Sequence, residues 1–162
     1  ERLIERLKKR DTLGSVKFNS IIIADFDESL KSVTTSLLYT DISPNEKYFI
    51  TLNQWFDESL LEEASLQPIY FPSINKRNYE DFSAEYFEKF NQYPNQLSFL
   101  SFDLVGLVYY LIIQNNSIID EKIFTKKNLF KGKVGIFEIK NNKINHILNF
   151  YKVEDDKFKK IF

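Results

Sequence analysis

The chain has 162 residues, enough for one ordinary domain or for parts of two small lobes, and its formal net charge is −1. Hydrophobic residues make up 43% and charged residues 28% of it, which is typical of a globular protein and not of a disordered one. It has no cysteine and only one histidine, His146, which excludes disulfides, thiolate nucleophiles, cysteine-ligated metals and histidine-rich metal sites.

The first half of the chain is predicted to alternate helices and strands. In chain order these are a helix, a strand, a helix, a strand, a short helix and a strand, over residues 1–10, 18–24, 27–39, 48–52, 58–64 and 69–71. Residues 21–23 are all isoleucine, which predicts a central parallel strand that is covered on both faces. We expect Asp27 or Ser29 to cap the helix that follows. Pro72 is expected to close the third strand.

The second half is predicted to be helical first and then β. The spacing of Asn78 and Asp81 resembles a capping box and starts a helix that Pro94 ends near residue 93. Four aromatic residues lie at helical spacing along it: Phe82, Tyr86, Phe87 and Phe90. A long apolar helix, buried on most sides, is expected next, over residues 97–113. A short helix near 121–129 and strands at 134–139, 144–153 and 158–162 complete the chain, with turns at Asn141-Asn142 and Asp155-Asp156.

This order of elements predicts the fold class. Alternating strands and helices with continuous apolar strands favour a parallel sheet flanked by helices. The predicted fold is therefore α/β, a three-layer sandwich with a mainly parallel sheet and a carboxyl-terminal β-hairpin or meander. No apolar stretch approaches the length that a membrane span needs, since the longest, residues 104–113, is about half of it.

The carboxyl ends of the three predicted parallel strands form the candidate binding site, because open α/β sheets bind ligands at that edge. The residues there offer a carboxylate, two amides and aromatic walls, which suit a small polar ligand. They are Asp25, Phe26, Asn53, Gln54, Trp55 and Phe71. The alternative is structural: Asp25 and Asp27 cap a helix, and Trp55 fills the core.

Most other chemistry is disfavoured by the sequence. FKGKVG lacks the upstream glycine and the following Ser or Thr of a phosphate-binding loop, and no G-x-G-x-x-G occurs. We therefore expect no cofactor and no metal. The lysines near the carboxyl terminus alternate with strand residues, which is typical of a solvated hairpin and not of a nucleic-acid site. An alternative class is a small α/β hydrolase-like enzyme that uses Asp25.

Several phrases of the sequence resemble the carboxyl-terminal half of type I periplasmic binding proteins, the Leu/Ile/Val-binding-protein group. They are most similar to the penicillin-binding-protein activator branch of LppC/LpoA-like lipoproteins. The phrases are FNSIIIADFDESL, LLYTDISPNEKYFITLNQWFDESLL, IYFPS, YEDFSAEYFEKFNQYPNQLSFLSFDLVGLVYYL and the closing FKGKVGIFEIKNNKINHILNFYKVEDDKF. Phe102-Asp103 stands where the family commonly has Tyr-Asp.

The resemblance implies a two-lobed receptor that binds its ligand between the lobes, and a chain that is a carboxyl-terminal fragment of a longer parent. Residues 1–95 would be part of the second lobe. Residues 96–162 would return toward the first lobe, which the chain would lack. Phe102 joins the candidate ligand-binding residues on this ground, although it lacks the hydroxyl of the family's tyrosine.

Two non-enzymatic roles follow from the resemblance. One is the solute-binding component of an ABC importer for branched-chain-amino-acid-like ligands, with an ABC permease as its partner. The other is a lipid-anchored activator that docks on a peptidoglycan synthase. Both imply an exported, periplasmic parent. Surfaces left by the absent lobe could also pair two copies into a homodimer.

Overall fold

The structure, a computed structural model, describes residues 17–52, 55–116, 122 and 127–162. The predicted helix over residues 1–10 therefore lies outside the described residues. The chain divides into two compact units. The first contains the described residues up to Phe71 together with Lys152–Lys159, and the second contains Pro72–Tyr151 together with Lys160–Phe162. The predicted receptor lobes, divided at residue 95, stay a prediction.

Three α-helices and eight strands are described. The helices are α1 (Asp27–Leu38), α2 (Lys76–Phe90) and α3 (Gln96–Gln114). The strands are β1 (Ser20–Ile23), β2 (Tyr48–Thr51), β3 (Ile69–Ser73), β4 (Asn128–Lys131), β5 (Ile136–Lys140), β6 (Lys143–Ile147), β7 (Asn149–Glu154) and β8 (Lys157–Lys160). Where one short helix was predicted over 58–64, two 3₁₀ helices occur, Glu58–Leu61 and Ala64–Leu66.

The larger sheet has the strand order β1-β2-β3-β7-β8, and its strands β1 and β2 belong to the first unit. β1 pairs with β2 and β2 with β3 in parallel, with Ile21 opposite Phe49 and Phe49 opposite Ile69. This confirms the predicted parallel strands and the α/β class. One face of these strands is buried, since Phe49 and Ile69 have no exposed surface. Helix α1 adds Leu30, which is also fully buried.

The other face of the same strands is open among the described residues. Ile22 is 73% exposed and Tyr48 is 59% exposed. β1 also lies at the edge of the sheet. The prediction of a central strand covered on both faces is therefore wrong for the part of the chain that the structure describes. Successive side chains of a strand point to opposite faces, so covering one face leaves Ile22 in solvent.

Three predicted element boundaries are corrected. β3 continues through Pro72 to Ser73. Its pairs with β2 are made by Ile69 and Tyr70. Pro72 follows these pairs, so its missing N–H removes no hydrogen bond to β2. The cap of α2 is Asn75, whose side chain accepts hydrogen bonds from the backbone N–H groups of residues 77 and 78. The helix ends at Asn91, in the left-handed conformation at φ 52°, and so stops before Pro94.

The second unit contains a three-stranded antiparallel sheet of order β4-β5-β6. Asn141 and Asn142 have φ of 52° and 58°, which confirms the predicted tight hairpin turn. Asn128 and Leu129 are in β4, so the predicted helix does not extend to residue 129. The strand predicted over 144–153 is divided between β6 and β7, which belong to different sheets.

Helix α3 packs on this sheet through only one side. Leu107 and Leu111 form a buried cluster with Ile139, against which Phe130 packs. Apart from these two leucines, only Phe99 and Asp103 of the helix are buried. The prediction of a helix buried on most sides is therefore wrong, because Leu104, Val105 and Tyr109 are each more than half exposed among the described residues.

Candidate functional site

Two residues of the predicted site, Asp25 and Phe26, follow the end of β1 in the structure. The Asp25 carboxylate accepts a hydrogen bond from the backbone N–H of Phe26 at 2.9 Å and one from the hydroxyl of Ser29 at 2.8 Å. The N-cap position of α1 is Phe26, without a side-chain capping bond, so neither Asp27 nor Ser29 caps the helix as expected. Asp25 is thus engaged in shaping the start of α1.

Two of the predicted aromatic walls, Trp55 and Phe71, are core residues of the first unit, whereas Phe26 is 38% exposed. Phe71 has no exposed surface and Trp55 is 9% exposed. Phe71, Phe56 and Phe158 pack edge to face with ring centroids 5.4 to 5.9 Å apart. These contacts stabilise the unit and leave little surface of Phe71 for a ligand.

Of the remaining predicted residues, two lie outside the described residues and one lies in the second unit. Asn53 and Gln54 lie outside the described residues. Phe102 belongs to the second unit, on α3. The predicted set is therefore not brought together as one site within either unit.

Phe102 instead lines a groove between α2 and α3, which we call the α2–α3 groove. Its volume is about 840 Å³, within the range of small-molecule sites. Helix α2 contributes Phe82, Glu85, Tyr86, Lys89 and Phe90, and Asn95 precedes α3. Helix α3 contributes Leu97, Ser98, Ser101, Phe102, Val105, Gly106 and Tyr109. The lining is mainly apolar.

Aromatic contacts hold the base of the α2–α3 groove. The ring of Phe82 lies 4.8 Å from that of Phe99 and 5.1 Å from that of Phe102. Tyr86 continues the row, with its ring 4.5 Å from that of Phe90. Phe82 and Phe99 are buried, whereas Phe102 is 50% exposed and faces solvent in part. The rings therefore form both the wall of the groove and the contact that joins the two helices.

Two charged side chains, Glu85 and Lys89, line the α2–α3 groove. Glu85 forms an ion pair with Lys133, and the hydrogen bond from Lys133 lowers the pKa of the Glu85 carboxyl below its usual range. Lys133 also lies over the ring of Phe102, 6.0 Å from its centroid. Lys89 has no ion-pair partner among the residues that the structure describes. The three charges at this edge, on Glu85, Lys89 and Lys133, therefore sum to one net positive charge.

Asp103, one turn from Phe99 on α3, anchors the turn between β4 and β5. It is 2% exposed. Its carboxylate accepts hydrogen bonds from the backbone N–H groups of Lys133 at 2.9 Å, Val134 at 3.1 Å and Gly135 at 2.7 Å. A buried carboxylate is stabilised when its oxygens accept hydrogen bonds, as these do from three backbone N–H groups. Asp103 thus fixes α3 against the β4–β5 turn.

Two glycines make this turn possible. A Cβ atom at Gly132 would overlap the Asp103 carboxylate, and one at Gly135 would overlap Nε2 of His146. These glycines belong to the FKGKVG phrase that carries part of the family resemblance. Their role is steric, because neither has a positive φ.

His146 packs behind this turn. Its ring stacks on Phe137 with centroids 4.4 Å apart, and its buried Nε2 has no hydrogen-bond partner in the described part of the chain. Burial lowers the pKa of His146 below its ordinary value of 6.5, against a weaker opposing effect of the Asp103 charge. The folded protein therefore favours the neutral ring.

We expect acidification to destabilise the fold through His146. Because its pKa is lower in the folded chain, the neutral ring contributes stability that is present above pH 6.5 and is lost as the pH falls through the folded pKa. The free energy of unfolding, followed by circular dichroism, should therefore decrease as the pH falls below about 6.5. The decrease should be smaller in His146→Gln. An NMR titration midpoint of the single imidazole at or above 6.5 would contradict this expectation.

By length and composition alone, α3 is long and apolar enough to cross a membrane. The expectation that no stretch approaches a membrane span therefore needs correction. One such helix is weak evidence, since soluble proteins contain similar ones. In residues 17–52, 55–116, 122 and 127–162 there is no group of three or more His, Asp or Glu side chains that could hold a metal ion.

Sequence reasoning missed the α2–α3 groove, although the signal was present. Phe82, Tyr86 and Phe90 were recognised at helical spacing, but such a row is more often core than binding surface. Only the packing of α2 beside α3 shows that part of the row is open. No protein-family model matches the chain, and no curated protein matches it. The resemblance to type I periplasmic binding proteins thus stays a prediction.

Proposed function

We propose that this chain is a non-enzymatic regulatory module of a bacterial periplasmic receptor, which acts by docking on a peptidoglycan synthase through the outer face of α3. The proposed fold is part of a type I periplasmic-binding-protein-like domain, a three-layer sandwich. That arrangement would need further elements to cover the open face of β1 and β2. The sequence resemblance supports the receptor class, and the parallel strands of the first unit are compatible with it.

The observation that carries the docking role is an apolar stripe on α3, formed by Leu100, Leu104 and Val108. These residues are spaced four apart and so lie along one face of the helix. They are 40%, 54% and 43% exposed. A helix that is apolar on nearly all sides is normally covered, and a contiguous exposed apolar surface marks an interaction site. We name these three residues the α3 stripe.

A protein partner explains the α3 stripe better than a bilayer does. Asp103 lies in the middle of α3 and is bonded to the backbone of the β4–β5 turn. A membrane around α3 would therefore also enclose the Asp103 carboxyl group and the adjacent Lys133, and polar or ionisable side chains are unfavourable in hydrocarbon. A protein surface would cover the stripe and leave this anchor intact.

The test uses the purified chain and the bifunctional peptidoglycan synthase of its source bacterium. We expect a saturable complex that accelerates glycan polymerisation or cross-linking. Leu104→Asp should weaken the complex at least tenfold, about 1.4 kcal/mol, because it places a charge in an apolar contact. Tyr39→Asp is the matched control, since Tyr39 is 87% exposed and lies in the first unit.

Equal binding by native chain and Leu104→Asp, or no complex with the synthase, would overturn the docking role. A panel of amino acids tests the solute-binding role separately. A ligand that binds only the folded state raises the melting temperature. A clear rise with a branched-chain amino acid would favour the importer component over the synthase activator.

A further inference from the structure

We propose that the α2–α3 groove binds a single-chain, fatty-acid-like carboxylate, with its chain among the aromatic side chains and its head group at Lys89. This site is separate from the α3 stripe, and it does not depend on the docking role. The argument rests on the shape, lining and charge of the groove.

The shape of the α2–α3 groove fits an extended apolar chain. Its lining on α3 runs from Leu97 to Tyr109, which is about 18 Å along the helix at the standard rise per residue. Its volume of about 840 Å³ is ample for one acyl chain. Val105 and Tyr109 are 69% and 66% exposed, so the groove is accessible from solvent.

The lining of the groove favours apolar contact along most of this length. Helix α2 contributes Phe82 and Tyr86 to the lining, and α3 contributes Phe102 and Val105. Covering exposed apolar surface favours binding. Because the rings already pack against one another, the groove is preformed, and little conformational entropy is lost on binding.

The charge of the groove selects the head group. Glu85 is ion-paired with Lys133 and also attracts Lys89. These three side chains therefore leave one net positive charge at this edge, and Lys89 is the lining cation that has no ion-pair partner among the described residues. A carboxylate carries one negative charge and balances it. A phosphate monoester would bring about −1.5 to −2 at neutral pH, and the excess would face Glu85. A monoanionic head is therefore the better complement.

The experiment compares dodecanoate with dodecanol, which has the same chain without the charge, by calorimetric titration below their aggregation limits. We expect one dodecanoate per native chain and at least tenfold weaker binding of dodecanol, equivalent to about 1.4 kcal/mol. Lys89→Met should reduce dodecanoate binding about tenfold and leave dodecanol binding unchanged. Lys143→Met, at an exposed residue outside the lining, is the control.

A second pair of variants tests the location of the chain. Val105→Trp and Ser101→Trp each place a bulky ring in the groove at solvent-accessible positions, and either should abolish binding of both probes while the circular dichroism spectrum stays native. The proposal is overturned if native chain shows no saturable binding, or if both folded tryptophan variants still bind. Equal affinity for the two probes, unchanged by Lys89→Met, would overturn the assignment of the head group.

Discussion

Replacing Asp103 with alanine is expected to lower the free energy of unfolding by about 3 to 5 kcal/mol. The carboxylate accepts the backbone N–H groups of Lys133, Val134 and Gly135, and the bonds to Val134 and Gly135 are buried. Alanine would leave these donors without an acceptor and without access to water. Each unsatisfied buried donor costs about 1 to 3 kcal/mol. Chemical denaturation followed by circular dichroism measures the loss.

Two further variants test whether the lost stability comes from the hydrogen bonds of the Asp103 carboxylate. Asp103→Asn keeps one acceptor oxygen in nearly the same volume, so its effect should be intermediate. Asp81→Ala removes a carboxylate that is 63% exposed and should change the free energy by less than about 0.5 kcal/mol. If Asp103→Ala costs no more than Asp81→Ala, the carboxylate does not anchor the β4–β5 turn.

Gly135→Ala is expected to destabilise the chain by about 1 to 3 kcal/mol, and His146→Ala should remove most of that cost. The added Cβ would overlap the imidazole. The backbone itself would not be strained, because Gly135 has no positive φ. Removing the imidazole opens the space that the Cβ needs. A double-mutant cycle on unfolding free energies therefore isolates the steric conflict.

Gly106→Ala is the matched control for this glycine. Its Cβ would lie 3.6 Å from the Phe130 ring, an ordinary contact. Since Gly106 is inside α3, alanine there should be neutral or stabilising by up to about 1 kcal/mol. If Gly135→Ala lowers the free energy of unfolding equally with His146 and with alanine at position 146, the steric overlap does not involve the imidazole and lies elsewhere in the turn.

The parts of the fold that sequence reasoning predicted well depend on short-range patterns. The isoleucines of β1 and the YFIT run of β2 indicated parallel strands, and Asn141-Asn142 indicated a hairpin. Both signals are local, because strand propensity and the left-handed preference of asparagine act over a few residues. The α/β class followed from the order of these elements.

The parts that failed depend on which element covers which face. The apolar sequence of α3 predicts burial, but only contacts distant in the chain decide which of its residues are covered. Ile22 of β1 is exposed for the same reason. The role of Asp103 was also hidden, since its three backbone partners lie about 30 residues away. The groove arose from the same long-range packing.

The two compact units each contain one natural reporter. The single tryptophan, Trp55, is buried in the first unit, and the single histidine, His146, lies in the second. In a guanidinium titration, the shift of indole emission to longer wavelength follows exposure of the first unit, while loss of the native imidazole resonance follows the second. Coincident transitions would mean that the units melt cooperatively. Separate midpoints would show that the two units unfold independently. The measurement needs no added label.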